Sequence, residues 1–327
     1  MRIRSLQCSL FLSAAVAFAL SGFCYSQETE YTEAERLGME SHIGNLTGHA
    51  RAAKTDYRRY CTGCHGDLGD GEGENAQWLD PKPRNFTLGQ FKCRSTPTGT
   101  LPTDEDLFNT IARGLDSSVM PPWNTFTKQM RVDLVAWVKH FSPRFENEKP
   151  GTPIQIPPEP EVTAERIKAG QALFQKLECW KCHGVEGRAN GPSADTLTDD
   201  QNRPIKAFNF HDGNRFKCGS TNQDLYRIFM TGLDGTPMPS FADNVKPDEA
   251  WELVFYLRTL QPMNTKEKAI AKQLGLKPIN PNAAAPAAAP QQQEQPQQQQ
   301  QQQQPQPQQQ QPQQQQQQPP QPPQHGR

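Results

Sequence analysis

Apolar residues recur with helical spacing in four segments of the chain, which predicts four amphipathic helices. Two of these segments precede the sequences "CTGCH" and "CWKCH", and the other two close the regions that follow them. No alternating strand pattern competes with them, so the chain is predicted to be all-α. The apolar positions, in chain order, are Ala53, Tyr57 and Tyr60; Met130, Leu134, Trp137, Val138 and Phe141; Gly170, Leu173, Phe174 and Leu177; and Ala250, Leu253, Val254, Leu257 and Leu260.

The helical segments belong to an internal duplication. "RNFTLGQFKC" matches "FNFHDGNRFKC", "DLFNTIARGLDSSVMPPW" matches "DLYRIFMTGLDGTPMPSF", and "DLVAWVKHF" matches "ELVFYLRTL". The pieces follow one another in the same order after each cysteine motif. The sequence therefore predicts two copies of one module, at residues 45–145 and 164–262.

A proline-rich linker at residues 146–163 separates the copies, and its prolines favour an extended segment over a helix or strand. It leads into a helix with Thr163 as N-cap and Val162 and Ile167 as a hydrophobic staple. Pro247 suits the first position of the last helix. A C-terminal extension at 263–281 and an Ala/Pro, then Gln/Pro-rich tail at 282–327 complete the chain. The tail has too little apolar surface to offset its ordering entropy and is predicted to be disordered.

The N-terminus has the features of a secretory signal peptide, with Arg2 and Arg4 ahead of the apolar run "LFLSAAVAFAL". We assign residues 1–26 to the signal and 27–44 to an N-terminal extension. This predicts a periplasmic protein, with an uncleaved membrane anchor as the alternative. The formal net charge of −1 provides no basic surface for nucleic acid, which is not expected as a partner.

Three chemistries use two cysteines separated by two residues. A thioredoxin-like redox pair expects a βαβ setting, which the sequence lacks, and a zinc site expects cysteine pairs much closer together than these. The third is covalent haem attachment, in which two thiols add to the haem vinyl groups and the next histidine reaches the iron. We therefore expect Cys61 and Cys64 to hold one haem with His65 on its iron. Cys179 and Cys182 would hold a second, with His183.

A methionine thioether is one known partner of histidine on haem iron. Met120 and Met238 stand at the same place in the two copies, each six residues after a glycine and directly before a proline. We predict that they are the sixth iron ligands. His140 and His211 could instead give bis-histidine iron, but neither recurs in the other copy. A surface or packing role is expected for each histidine, and core packing for the methionines without a counterpart: Met39, Met130, Met230 and Met263.

Cys93 and Cys218 remain, each closing an "FKC" triplet. The favoured interpretation is two separately buried cysteines that act as small apolar side chains. A disulfide between the modules is the alternative, since thiols in an oxidising compartment can join.

The quoted motifs resemble those of class I c-type cytochromes, particularly two-haem periplasmic ones, over about two thirds of the chain. The resemblance implies two tandem cytochrome c domains, each folded around one covalently attached haem c with His/Met-ligated iron. It implies an electron carrier between redox donor and acceptor proteins, with possible association with a membrane respiratory complex, and no enzyme activity. A cytochrome subunit of a larger oxidase, dehydrogenase or reductase is the alternative. A dihaem peroxidase is less favoured, because its chemistry needs an open iron site.

The paired motifs predict two covalently attached haems per chain. The intact mass should exceed that of the processed polypeptide by two haem masses, and both should survive acid–acetone extraction because thioether bonds resist it. Mass spectrometry before and after extraction checks this. Extractable haem, or only one attached group, would contradict the assignment.

Overall fold

The computed structural model describes residues 38–213, 215–263 and 265–282. The signal peptide predicted at 1–26 lies outside these residues, as do 27–37 of the predicted extension and 283–327 of the predicted tail. Among the helices of the described residues, none combines the length and the apolar character that crossing a membrane requires.

The first module begins with a β-hairpin and continues with five helices. A short 3₁₀ turn, Ala76–Trp78, lies between the second and third of them. The elements are β1 Glu40–Ile43, β2 Leu46–His49, α1 Ala50–Tyr60, α2 Thr62–His65, α3 Asp104–Arg113, α4 Lys128–Lys139 and α5 Arg144–Asn147.

The second module repeats the helical order of the first, and the predicted mostly helical fold is confirmed. Its 3₁₀ turn, Ala194–Thr196, again follows the short helix that carries the histidine. The elements are α6 Ala164–Lys176, α7 Trp180–His183, α8 Asn222–Thr231, α9 Pro247–Leu260 and α10 Lys266–Gln273.

The hairpin corrects the expectation that the chain contains no strands. β1 and β2 pair antiparallel, with Glu40 opposite His49, and the turn between them spans the predicted start of the first module at residue 45. The buried Ser41 hydroxyl donates a 2.6 Å hydrogen bond to the carbonyl of Val132 in α4. Strands of four residues, with a serine on the buried side, are too short and too polar to show an apolar alternation.

In each module the first long helix packs against the closing helix: α1 against α4, and α6 against α9. The predicted core positions Ala53, Tyr57 and Trp137 are buried in the first module. Tyr60 is not part of this core. It is 37% exposed and packs in tilted orientations against the rings of Trp123 and Phe126.

The predicted helix starts in the second module are also observed. The Thr163 side chain accepts a hydrogen bond from the Arg166 N–H, and Val162 and Ile167 both pack in the core. α9 begins at Pro247. The C-terminal extension contains α10, which the sequence analysis did not predict, and then runs along α6, where Gln171 Nε2 donates to the Lys277 carbonyl at 2.6 Å.

The two modules are joined by a disulfide between Cys93 and Cys218, whose Cα atoms are 5.1 Å apart. The favoured expectation of two separate cysteines is therefore wrong. Ion pairs add to this junction: Arg94 with Asp234 at 2.7 Å, and Arg203 with Glu72 at 2.5 Å. The described residues form one compact unit.

The linker also contacts both modules. It contains the end of α5 and then runs without helix or strand through residues 151–163, as its prolines predict. The Ile154 N–H donates to the Ser95 carbonyl of the first module at 2.9 Å, while the Ile154 and Ile156 side chains pack against the core of the second.

Gly170 lies where α6 crosses α9, and a Cβ atom there would overlap the carbonyl oxygen of Glu252. Gly170→Ala should force the helices apart and lower the free energy of unfolding by about 1–3 kcal/mol. Urea denaturation followed by circular dichroism measures this. Lys168→Ala, at an exposed position of the same helix, should stay within about 0.5 kcal/mol of the wild type. Equal stability of both variants would contradict close packing at this crossing.

Candidate functional site

Each cysteine motif forms a single helical turn that directly follows the first long helix of its module. The N–H of His65 donates to the carbonyl of Cys61 at 2.9 Å, and the N–H of His183 donates to that of Cys179 at the same distance. The structure thus brings the predicted cysteine and histidine residues of each motif together on one turn. Cys61, Cys64, Cys179 and Cys182 form no disulfide.

The chain enters the two turns differently. A buried aromatic residue of the preceding helix stands four positions before Cys61 in the first module (Tyr57) but five before Cys179 in the second (Phe174). In the second module Glu178 takes a left-handed conformation, with φ of 57°, and absorbs the extra residue. Both aromatics remain buried against the closing helix. The aromatic contact with the closing helix is therefore kept in both modules, between Tyr57 and Trp137 in the first and between Phe174 and Tyr256 in the second.

A main-chain carbonyl orients each histidine ring. His65 Nδ1 lies 3.1 Å from the carbonyl oxygen of Arg84, and His183 Nδ1 lies 2.9 Å from that of Phe208. A carbonyl oxygen can only accept, so Nδ1 must carry the proton and Nε2 keeps its lone pair. This is the arrangement in which a histidine binds a metal through Nε2.

A phenylalanine stacks on each of these rings. The ring centroids of His65 and Phe86 are 4.5 Å apart, and those of His183 and Phe210 are 4.8 Å apart. The sequence analysis assigned no role to these phenylalanines or to the carbonyls of Arg84 and Phe208. The repeated "NF" dipeptide, which carries both phenylalanines, was the signal that could have identified them.

Burial favours the neutral forms of the two histidines and of the first cysteine of each motif. It lowers the pKa of both imidazoles and raises the pKa of the Cys61 and Cys179 thiols to about 12. Within the described part of the chain, no group of three or more His, Cys, Asp and Glu side chains is arranged to hold a metal ion.

The two predicted methionine ligands occupy loops of identical construction. The N–H of Leu115 donates to the Met120 carbonyl at 3.1 Å, and the N–H of Leu233 donates to the Met238 carbonyl at 3.1 Å. The N–H of each methionine in turn bonds a hydroxyl two residues earlier, on Ser118 or Thr236, at 3.2 Å.

A glycine with positive φ begins each of these loops. Gly114 has φ of 72° and Gly232 has φ of 67°. A Cβ atom on Gly114 would lie 2.7 Å from the Met120 carbonyl oxygen, and one on Gly232 would lie 3.1 Å from that of Met238. A larger residue would therefore be strained in its backbone and crowd the methionine. The side chains of Met120 and Met238 are both half-buried.

The alternative histidines have other contacts. The ring of His140 bonds the carbonyl of Trp137 and lies against Phe141. His211 Nε2 lies 2.8 Å from the carbonyl of Glu186. These contacts agree with the surface or packing roles expected for the two residues.

The residues of each module fit a haem c group. Two neighbouring thiols would supply the thioether bonds, and a buried imidazole with a free Nε2 would supply one iron ligand. The phenylalanines beside it form an apolar wall. The methionine of the loop would supply the thioether that completes the coordination.

Comparisons with known proteins give a family for each module. Residues 167–261 match the family described as "Cytochrome c", and residues 48–138 match "Cytochrome C oxidase, cbb3-type, subunit III". No curated protein matches the sequence.

A solved structure extends the similarity over both modules. It is a chain from a Kuenenia stuttgartiensis structure described as a reducing HAO-like protein complex. It is 46% identical to this chain, with a TM-score of 0.63, and the match covers 64% of this chain and 95% of that chain.

Met120→Ala should remove one of two equivalent thioether ligands. The weak near-infrared band of sulfur-to-iron charge transfer in the ferric protein should fall to about half, and the ferrous protein should gain a site for carbon monoxide, because one of two His/Met irons loses its sixth ligand. Absorption spectroscopy measures both.

Met130→Ala serves as the control, since Met130 packs against the core of the same module. It should leave the band intact. A full band in the Met120 variant would show that another residue is the ligand.

Proposed function

The chain belongs to the class I c-type cytochromes and has two cytochrome c domains, each with one covalently bound haem c, and we propose that it is the dihaem electron-transfer subunit of a redox complex outside the cytoplasm. When bound, each haem supplies an iron that takes up and releases one electron. The cytochrome domains indicate electron transfer.

The residues around each histidine suit electron transfer without substrate chemistry. The carbonyls of Arg84 and Phe208 hold the imidazoles in one orientation. This limits the structural change around the iron when an electron is gained or lost. Phe86 and Phe210 are nearly fully buried and keep water from the rings. A thioether ligand favours ferrous iron and a higher potential. Because both modules have the same methionine loop, this arrangement argues against a dihaem peroxidase.

The single observation that carries the proposed complex is the 46% identity to a chain of the HAO-like complex, over 95% of that chain. The relative is one component of a complex of proteins. A match over almost its whole length includes the surfaces by which it could be assembled. We therefore place this chain in a comparable assembly, rather than as a freely diffusing carrier.

A difference between the modules supports a protein partner at the first one. Tyr60, Leu68 and Trp78 surround the "CTGCH" turn, and Leu68 and Trp78 are each 72% exposed. The 3₁₀ turn that ends at Trp78 is held to the motif by the Asn75 N–H, which donates to the Gly63 carbonyl at 2.8 Å.

The positions that correspond to Leu68 and Trp78 in the second module are polar: Glu186 and Thr196, both exposed. The fold therefore does not require apolar residues here. We infer that the first module presents an apolar face to the enzyme subunit of the complex, since large exposed apolar side chains mark protein interfaces.

The Cys93–Cys218 disulfide supports a location outside the cytoplasm, because such bonds persist in oxidising compartments. The proposed periplasmic location also rests on the signal-like sequence at residues 1–26.

The proposal predicts a stable complex. The tagged full-length chain, purified from its native source, should elute in size-exclusion chromatography with a second redox protein in fixed stoichiometry. Light scattering and mass spectrometry identify the components. Elution as a single chain, with both haems present, would contradict the complex and favour the mobile carrier.

Substitutions drawn from the other module test the apolar face. Trp78→Thr with Leu68→Glu gives the first module the residues of the second and should reduce recovery of the partner by about tenfold or more. Thr196→Ser in the second module is the control and should have no effect. Full recovery with the double variant would show that the partner binds elsewhere.

A further inference from the structure

Three half-buried basic side chains meet at the junction of the modules: Lys92, Lys217 and Arg84. Each lysine precedes one cysteine of the disulfide, and the Cys93 Sγ lies 3.9 Å from the Lys217 carbonyl oxygen. Arg84 of the first module reaches the second, since its Nη1 lies 2.7 Å from where a Cβ atom on Gly235 would be. The disulfide thus holds a cluster of positive charge together.

These three side chains have no direct counter-ion among the described residues, where none of them forms an ion pair within 4.0 Å or donates a hydrogen bond. Arg94, a buried cation near the junction, is paired by contrast, since its Nη2 lies 2.7 Å from an oxygen of Asp234. Bringing like charges together away from water is costly unless an anion joins them.

The surroundings of the lysines show the same imbalance. Burial, with the neighbouring charges of Arg84 and Lys217, lowers the pKa of Lys92 to about 7. Burial and the charge of Arg84 lower the pKa of Lys217. Acidic side chains oppose these shifts from beyond ion-pair distance: Asp199 and Asp200 at Lys92, Asp80 at Lys217, and Asp199, Asp200 and Asp234 at Arg84.

The cluster lies beside both histidine sites. In the first module Phe91, next to Lys92, stacks on Phe86 at 6.1 Å between ring centroids, and Phe86 stacks on His65. In the second, Phe216, next to Lys217, packs on Phe210 at 6.2 Å, and Phe210 stacks on His183. In each module, a series of three packed rings thus leads from the histidine of the motif to the residue directly before the lysine.

We propose that Lys92, Lys217 and Arg84 bind the carboxylate groups of both haems at a single shared site at the module junction. Each haem c has two carboxylate side chains that the thioether bonds leave free, so the anion that the cluster lacks is supplied by the cofactors themselves. The inference rests on the two bound haems of the proposed function and is independent of any complex with an enzyme.

The matching "FKC" triplets then have two roles, since the cysteines fix the modules together and the lysines neutralise the haem carboxylates. A cation close to iron stabilises the ferrous form relative to the ferric form, because the ferric form has one more positive charge. Losing one of the lysines should lower the midpoint potential of the haems.

The test compares Lys92→Gln and Lys217→Gln in the full-length dihaem protein. Spectroelectrochemical titration should show midpoint potentials shifted to more negative values in both variants. Lys92→Arg, which keeps the charge, should restore the wild-type potentials. Resonance Raman bands of the haem carboxylate groups should also shift in both glutamine variants, which a merely structural role would not produce.

Lys206→Gln is the matched control, because Lys206 is exposed and belongs to the second module. It should leave potentials and Raman bands unchanged. Unchanged carboxylate bands in both Lys92→Gln and Lys217→Gln would overturn the proposal.

A second arm distinguishes a solution anion from the haem carboxylates. Inorganic phosphate, added at constant ionic strength, should leave the wild-type potentials unchanged, because the cluster is already occupied. A phosphate-dependent shift in the wild type that is lost in Lys92→Gln would assign the cluster to a free anion and overturn the proposal.

Discussion

The hydrogen bond between each histidine Nδ1 and a main-chain carbonyl is the interaction on which both sites depend. It fixes the tautomer and the ring plane and so leaves Nε2 as the only nitrogen that can bind iron. The carbonyls of Arg84 and Phe208 can accept these hydrogen bonds because the chain folds back past the histidine of its own motif. A phenylalanine, Phe86 or Phe210, follows each carbonyl by two residues. The phenylalanine then stacks on the ring and completes the support.

The duplication acts as an internal comparison of what the fold needs. Features present in both modules include the histidine support, the methionine loop and the helix crossing, and we infer that these features hold and ligate the haem of each module. The exposed residues around the first motif differ from those around the second, as Trp78 and Thr196 show. Because one module folds without the apolar side chains, their presence in the other is better explained by a partner than by stability.

The junction between the modules gives the protein a fixed arrangement of two redox sites. The disulfide, the buried Arg94–Asp234 pair and the linker contacts all restrict movement of one module relative to the other. Without such restraint a proline-rich linker alone would leave the distance between the sites variable. A fixed distance suits a chain that passes electrons from one site to the other.

The elements whose chemistry is local could be predicted from the sequence alone. The spacing of Cys61, Cys64 and His65 places three functional groups on one helical turn, and the helical periodicity and the repeat predict the two modules. Tertiary structure decided what depends on residues distant in sequence. The Arg84 and Phe208 carbonyls, the Cys93–Cys218 bond and the cluster around Lys92 arise from chain segments brought together by folding, and backbone carbonyls have no sequence signature. The β1–β2 hairpin was missed for a related reason, since contacts with α4 hold its short strands in place.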